Sequence, residues 1–153
     1  MIIIIDTREQ KPLEFTVPTI RECLPCGDYR AKFSDGSLSE VVVERKSLGD
    51  AYGTLSQGYD RFRREMQLAE ELGITLIIVI EASLRRVLSG YSNSRRTGLS
   101  IVYQLFTIRV RHNVHTVFCT NRDEASQYIM HLFKALEDNH NDTKSPEVRK
   151  PLS

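Results

Sequence analysis

An apolar run that ends abruptly in charged residues constrains this chain more than any other feature. Val41-Val42-Val43 is followed directly by Glu44-Arg45-Lys46. The valines belong in a sheet, whereas unpaired charges avoid low-dielectric surroundings. We therefore expect a buried strand whose end opens onto a site. Because side chains alternate along a strand, Glu44 and Lys46 share one face and Arg45 lies on the other.

Three carboxylates upstream extend this charged group. Asp6 follows four consecutive isoleucines, which form another apolar strand ending in an acid, and Glu9 lies shortly after it. Asp28 follows a turn residue, Gly27. Acids beside an amine suit metal-assisted phosphodiester cleavage, because a divalent ion offsets the phosphate charge and activates a bound water. Carboxylate ligands favour Mg²⁺ or Mn²⁺ over softer metals.

The order and spacing of these residues resemble one nuclease family. Gly27-Asp28, then Glu44-Arg45-Lys46, then Asp50 give the pattern Gly-Asp-Xn-Glu-Arg-Lys-X3-Asp. This pattern is similar to the signature of XPF-type nuclease domains, a branch of the PD-(D/E)XK superfamily. Asp6-Thr7-Arg8-Glu9 resembles the start of those domains, and Arg61-Phe62-Arg63 resembles a later segment. The resemblance extends from about Met1 to Asp138.

The resemblance implies an α/β, restriction-endonuclease-like fold with a mixed central β-sheet flanked by helices. It also implies a Mg²⁺- or Mn²⁺-dependent endonuclease that cleaves branched, forked or flapped DNA in repair, recombination or replication. The catalytic group is then Asp28, Glu44, Lys46, Arg45 and Asp6. Asp28 and Glu44 are the leading metal ligands, with the Arg45 carbonyl as a third, and Asp6 is a second-tier ligand. Lys46 positions or helps to deprotonate the attacking water.

Arginines along the chain are candidate DNA contacts. We expect phosphate contacts, which position DNA without reading its sequence, from Arg8, Arg61, Arg63, Arg95 and Arg96. Each arginine cluster also fits an ordinary solvated helix face. Two motif residues each have two possible roles. Arg45 pairs with either Asp50 or Glu9, and Asp50 is either a site residue or the acid of a capping box with Ser47.

Periodicity predicts the elements and the domain boundaries. Residues 2–6 and 75–80 are predicted strands, 20–33 and 38–46 a hairpin, and 99–111 a helix. A short helix at 83–89, a strand from His115 to Cys119 and a final helix starting at Asn121 complete the pattern. Residues 1–139 therefore form the predicted nuclease domain, and the polar residues 140–153 a disordered tail.

The predicted helix at 99–111 is apolar nearly all round, which is typical of a buried helix or an interface. We expect a homodimer through Ile101, Leu105 and Ile108, or else a last helix that covers the whole apolar face. Relatives usually carry a helix-hairpin-helix module after the nuclease domain, and this sequence has no room for one. A separate DNA-binding or helicase partner, a second subunit or the basic loop at 90–98 is expected to compensate.

Composition narrows the remaining function classes. The formal net charge is +1, which is low for a protein that binds DNA. The four isoleucines at the start are too short to span a membrane, and no signal peptide or membrane partner is expected. Three cysteines without such a signal favour a reducing compartment, which is the cytoplasm and nucleoid, or the nucleus in a eukaryote. The alternatives are a catalytically weak subunit that binds DNA structures and a junction resolvase of the same superfamily.

Overall fold

The computed structural model describes residues 1–144. Six strands and five helices make up this part of the chain. In chain order they are β1 (Ile2–Asp6), β2 (Thr19–Glu22), β3 (Tyr29–Lys32), β4 (Leu38–Lys46), α1 (Leu48–Leu55), α2 (Tyr59–Glu71), β5 (Thr75–Ile80), α3 (Leu84–Leu88), α4 (Gly98–His112), β6 (His115–Phe118) and α5 (Arg122–Lys144).

The strands form one mixed sheet in the order β2-β1-β3-β4-β5-β6. β3 is antiparallel to both β1 and β4, whereas β1 and β2, β4 and β5, and β5 and β6 pair in parallel. Helices cover both faces, as strands buried on two sides require. Val42 packs in the cluster that contains the α1–α4 side chains, and Val43 packs in the cluster that contains α5. This arrangement confirms the predicted restriction-endonuclease-like fold.

The predicted strand at 20–33 is wrong as a single element. It divides into β2, an edge strand beside β1, and β3, which forms the predicted hairpin with β4. Pro25 and Gly27 lie in the segment between them. Proline has no backbone N–H for a sheet, and Gly27 adopts a left-handed φ of 76°, so the chain turns there. That turn delivers Asp28 to the start of β3.

The α4 helix forms where predicted, but the prediction of which of its residues form a dimer contact is wrong. Ile101, Leu105 and Ile108 are buried in the core of their own domain. The alternative is wrong as well, because α5 packs on the opposite face of the sheet. The exposed apolar side chains of α4 are Leu99, Tyr103, Phe106 and Val110, with 72%, 74%, 59% and 84% of their surface accessible.

The last helix extends past the predicted end of the domain at residue 139. Residues 140–144 are helical because they contact the β3–β4 turn: His140 Nε2 lies 2.8 Å from Asp35 Oδ2, and Lys144 also pairs with Asp35. The rest of the predicted tail, 145–153, lies outside the described residues. Within residues 1–144, the helices are too short or too polar to cross a bilayer.

Candidate active site

One cleft of about 860 Å³ lies where the ends of β1 and β4 meet the start of β3, beneath α1 and α2. Its lining contains most of the residues that the sequence singled out. They are Asp6, Arg8, Asp28, Glu44, Lys46, Asp50 and Arg61. Glycines and small side chains of α1 and the α1–α2 turn form the opposite wall.

Backbone hydrogen bonds fix Asp28 in this cleft. Its N–H donates to the Val43 carbonyl at 2.8 Å, and its carbonyl accepts from the Asp6 N–H at 2.8 Å. Its Oδ2 accepts from the Arg45 N–H at 2.7 Å. Burial raises the pKa of the Asp28 carboxyl to about 6, because these hydrogen bonds only partly replace lost hydration. Asp28 therefore meets the cleft as a partly desolvated acid in a fixed orientation.

Glu44 and Lys46 lie on the same face of β4, as strand alternation predicts. Lys46 Nζ is 3.0 Å from Glu44 Oε1 and 6.0 Å from the centre of the Phe62 ring. Burial raises the pKa of Glu44 well above its ordinary value, and the charge of Asp28 raises it further. Burial alone lowers the pKa of Lys46, but the Glu44 carboxylate more than offsets this and raises it. The amine is thus held in its charged form.

The donor set of this cleft fits a hard divalent ion. Burial raises the pKa values of Asp28 and Glu44, and neighbouring carboxylates raise them further, so a cation bound beside both acids would stabilise their charged forms. Across residues 1–144, no three acidic, His or Cys side chains converge closely enough to hold an ion without other ligands. Mg²⁺ does not need such a cluster, because it commonly takes one or two carboxylates and keeps several waters.

Asp6 lines the same cleft, but its carboxylate oxygens already have partners. Oδ1 accepts from the Leu24 N–H at 2.8 Å, and Oδ2 accepts from Arg8 Nε at 2.8 Å. Burial alone raises the pKa of Asp6, but these bonds outweigh it and lower the pKa. Through these contacts Asp6 joins the start of the β1–β2 loop to the segment between β2 and β3. A direct or water-mediated metal contact from Asp6 stays a prediction.

Arg45 lies on the opposite face of β4 and pairs with Glu9, one of the two expected partners. Its Nη2 is 3.0 Å from Glu9 Oε1, and its Nη1 is 2.6 Å from Glu81 Oε1. Its backbone N–H still reaches Asp28 on the site face. Asp50 forms the capping box with Ser47 at the start of α1, while its position also lines the cleft. Arg45 thus touches the site through its backbone and not through its guanidinium.

The expected DNA-contacting arginines divide into two groups. Arg8 and Arg61 line the cleft. Arg63 is absent from the lining and pairs with Asp60 at 3.6 Å. Arg95 and Arg96 belong to the loop before α4 and also lie outside the cleft, and Arg96 donates to the Leu55 carbonyl at 2.8 Å and to Gln104 at 2.6 Å. The Arg96 contacts hold that loop against α1.

Sequence reasoning missed two cleft residues on α2, Arg64 and Glu65. They follow Arg61 by three and four positions, which places all three on one side of a helix. The buried positions Phe62, Met66 and Ala69 fix the rotation of α2 about its axis. The sequence shows this apolar stripe and so limits the cleft-facing positions to its two flanks. Only the packing of α2 on the sheet decides which flank meets the end of β4.

The fold and the cleft together define a class, an α/β domain of restriction-endonuclease-like fold with its acids and lysine gathered at one end of a mixed sheet. The chain belongs to the ERCC4 domain family, whose family model matches residues 5–132. This match confirms the family resemblance drawn from the Gly-Asp and Glu-Arg-Lys motifs.

Two solved structures are similar to this fold. XPF from Aeropyrum pernix matches with a TM-score of 0.68 and 19% sequence identity, over 100% of this chain and 66% of that one. XPF from Aeropyrum pernix in complex with DNA matches with a TM-score of 0.65 and 20% identity, over 97% of this chain and 69% of that one. The chain thus spans about two thirds of the length of those proteins. No curated protein matches the sequence significantly.

Proposed function

We propose that this domain is a divalent-metal-dependent endonuclease that cleaves DNA phosphodiesters in branched, forked or flapped structures. The observation that carries the proposal is the convergence of Asp28, Glu44 and Lys46 in one open cleft. Glu44 is buried and Asp28 is half-buried, and both acids have raised pKa values, while the lysine is held charged beside them. A salt bridge that served stability alone would not require a second, partly desolvated acid at this place.

Each residue has a role that follows from its geometry. Asp28 and Glu44 would hold Mg²⁺ or Mn²⁺, and the Arg45 carbonyl is a further oxygen at the same strand end. A bound ion offsets the phosphate charge and lowers the pKa of water. Lys46 reaches the same space from the face of Glu44 and can orient the attacking water and stabilise charge that develops on the phosphate. Asp28 holds its orientation through the Arg45 N–H.

The arginines around the cleft support a nucleic acid as the substrate. Arg8, Arg61 and Arg64 line the same opening as the acids. Such side chains bind phosphate oxygens and position a strand without reading its bases. A related fold, XPF from Aeropyrum pernix, is known in complex with DNA. A role in repair, recombination or replication, in the cytoplasm and nucleoid or in a nucleus, follows as part of the proposal.

A cleavage panel tests the proposal. Labelled forks, flaps, four-way junctions and plain duplex are incubated with the protein in Mg²⁺, in Mn²⁺ and in chelator. We expect cuts that need the ion and that favour branched substrates. Glu44→Gln serves as the inactive control, and Glu70→Gln, which changes an exposed acid on α2, serves as the active control. Absence of cleavage with tight binding to forks would favour the catalytically weak DNA-binding subunit.

The exposed face of α4 supports a second part of the proposal, a homodimer. Leu99, Tyr103, Phe106 and Val110 form one apolar stripe on the outside of the helix. Exposed apolar patches of this kind mark interfaces, and a second copy of the chain presents the same surface. A dimer brings two clefts, or one cleft and a second DNA-holding surface, to a branched substrate. A separate DNA-binding or helicase partner remains part of this proposal.

A further inference from the structure

Glu65 connects α2 to the turn that presents Asp28. Its Oε1 accepts a hydrogen bond from the Gly27 N–H at 3.0 Å. This contact joins residues that are 38 positions apart in the sequence. Sequence motifs give Glu65 no role, and a helix face exposed to solvent would not need an acid here. The Glu65 carboxyl group also lies close enough to Glu44 to help raise the pKa of that acid, after the larger effects of burial and of Asp28.

The Gly27 turn is tightly constrained on its other sides. Its φ is +76°, and a Cβ at this position would lie 2.3 Å from Val42 Cγ1 and 3.2 Å from the Val43 carbonyl oxygen. The turn therefore rests directly on β4, and the next residue, Asp28, hydrogen-bonds to the same strand. The Gly27 N–H has one described partner, Glu65, so this bond fixes the turn from the side of α2.

We propose that Glu65 is a positioning residue that fixes the Gly27–Asp28 turn and thereby aims the Asp28 carboxylate into the cleft. This inference rests on the proposed nuclease function and adds a residue to it. Glu65 acts through Gly27 and needs no direct contact with the metal ion. Arg61 and Arg64 lie on the same side of α2 as Glu65. In this proposal, one helix therefore both contacts the phosphates and positions the metal ligand Asp28.

Two substitutions separate this role from a purely electrostatic one. Glu65→Gln keeps an oxygen that accepts from Gly27, and its amide N–H can donate to Glu44. Glu65→Ala removes the acceptor. Partners that orient a metal ligand are typically worth about 10- to 100-fold in activity or metal affinity. We expect Glu65→Ala to lower kcat and Mn²⁺ affinity by that range, with KM for DNA unchanged, and Glu65→Gln to stay close to wild type.

The matched control is Glu70→Ala, which removes an exposed acid from the same helix. Amide hydrogen exchange at Gly27, measured by NMR, reports the bond itself and should quicken only in Glu65→Ala. Two results would overturn the inference. One is a Glu65→Ala variant with the kcat and Mn²⁺ affinity of Glu70→Ala. The other is a Glu65→Gln variant that loses as much as Glu65→Ala, since that would assign the effect to the charge.

Titration of the protein with Mn²⁺ in the absence of DNA distinguishes failure of this inference from failure of the nuclease proposal. If the wild-type protein binds Mn²⁺ but cuts no DNA, the nuclease proposal fails, and weaker binding by Glu65→Ala with rescue in Glu65→Gln still supports the positioning role. If the wild-type protein cuts DNA and Glu65→Ala cuts equally well, only the positioning role fails. A wild-type protein that neither binds Mn²⁺ nor cuts overturns both.

Discussion

Asp28, Glu44 and Lys46 are the residues on which cleavage depends in the proposed mechanism. We expect Asp28→Asn, Glu44→Gln and Lys46→Met each to lower the cleavage rate about a hundredfold or more, because each removes a preorganised charge. Lys46→Met keeps the apolar stem near Phe62, so the domain should remain folded. Rates on a forked substrate in Mg²⁺ and the circular dichroism of each variant are the measurements. If two of the three variants cut at the wild-type rate, the site assignment is wrong.

The raised pKa of Asp28 predicts how stability depends on pH without metal. The ordinary pKa of the carboxyl is 3.8, and in the folded protein it is about 6. Between these values the folded state retains a proton that the unfolded state loses, so this group makes folding less favourable as pH rises through that window. Asp28→Asn removes the effect. In chelator, its melting temperature should match the wild type near pH 4 and exceed it at pH 7 by on the order of a few degrees.

The comparison reports Asp28 together with Glu44, because the charge of Asp28 also raises the pKa of Glu44. The other perturbed acids are common to both proteins. Burial alone raises the pKa values of Asp6 and Glu9, but their arginine partners outweigh it and lower them. The stability that these two acids contribute is therefore lost only as pH falls below their ordinary pKa values. Differential scanning fluorimetry from pH 4 to pH 8 measures the difference. A melting-temperature difference that did not change with pH would show that Asp28 keeps its ordinary pKa.

The same acid predicts the response to a divalent ion. Mg²⁺ or Mn²⁺ binds the folded state preferentially and should raise the wild-type melting temperature at pH 7.5. The increase should shrink at pH 5, because protons compete with the ion for Asp28 and Glu44. Asp28→Asn should show little increase at either pH. Equal increases in the wild type and in Asp28→Asn would place the ion elsewhere.

At the scale of elements, the turn between β2 and β3 determines where Asp28 lies. Gly27→Ala places a Cβ 2.3 Å from Val42 Cγ1 at a left-handed φ, whereas Gly36→Ala has a similar φ of +87° with no atom within 4 Å. Gly36→Ala should cost about 1 kcal/mol from backbone strain alone. Gly27→Ala should cost about 1–3 kcal/mol more, because β4 must move. Urea unfolding measures both, and equal losses would contradict the steric argument.

The strand-end chemistry was predictable because it depends on local rules. Strand alternation placed Glu44 and Lys46 together and Arg45 apart, and the capping box of Ser47 and Asp50 is readable over four residues. What failed depends on distant contacts. The rotation of α2, set by its packing on the core, exchanged Arg64 for Arg63 in the cleft, and the contact of Arg96 with the end of α1 joins residues far apart in the sequence.

The apolar character of α4 was predictable because it is a local property of the sequence. The side of the helix that is buried was not predictable. Nearly every face of this helix is apolar in sequence, so periodicity does not distinguish the side that meets the sheet from the side that meets solvent. Packing against α1, α3 and β6 decides it, and these elements come from three different parts of the chain. Leu105 is consequently core, and Phe106 beside it is surface.

At the scale of the whole molecule, we propose that the outer side of α4 determines assembly. Leu99, Tyr103, Phe106 and Val110 recur at steps of three and four residues, so they form one continuous stripe. A two-fold pair uses the same patch on both copies, which places the middle of the stripe, Tyr103 and Phe106, near the axis. We therefore expect the protein to dimerise through α4.

Light scattering coupled to gel filtration at micromolar concentration should give the mass of a dimer for the wild type. Phe106→Glu and Val110→Glu should give folded monomers, because they add charge to a surface that only the partner covers. Their melting temperature should fall only by the stabilisation that association provides. Leu105→Glu is the matched control on the other side of the helix. It should unfold the protein, since its side chain is 3% exposed and an unpaired charge there has no partner. A wild-type monomer, or a Phe106→Glu variant that unfolds as Leu105→Glu does, would contradict assembly through this face.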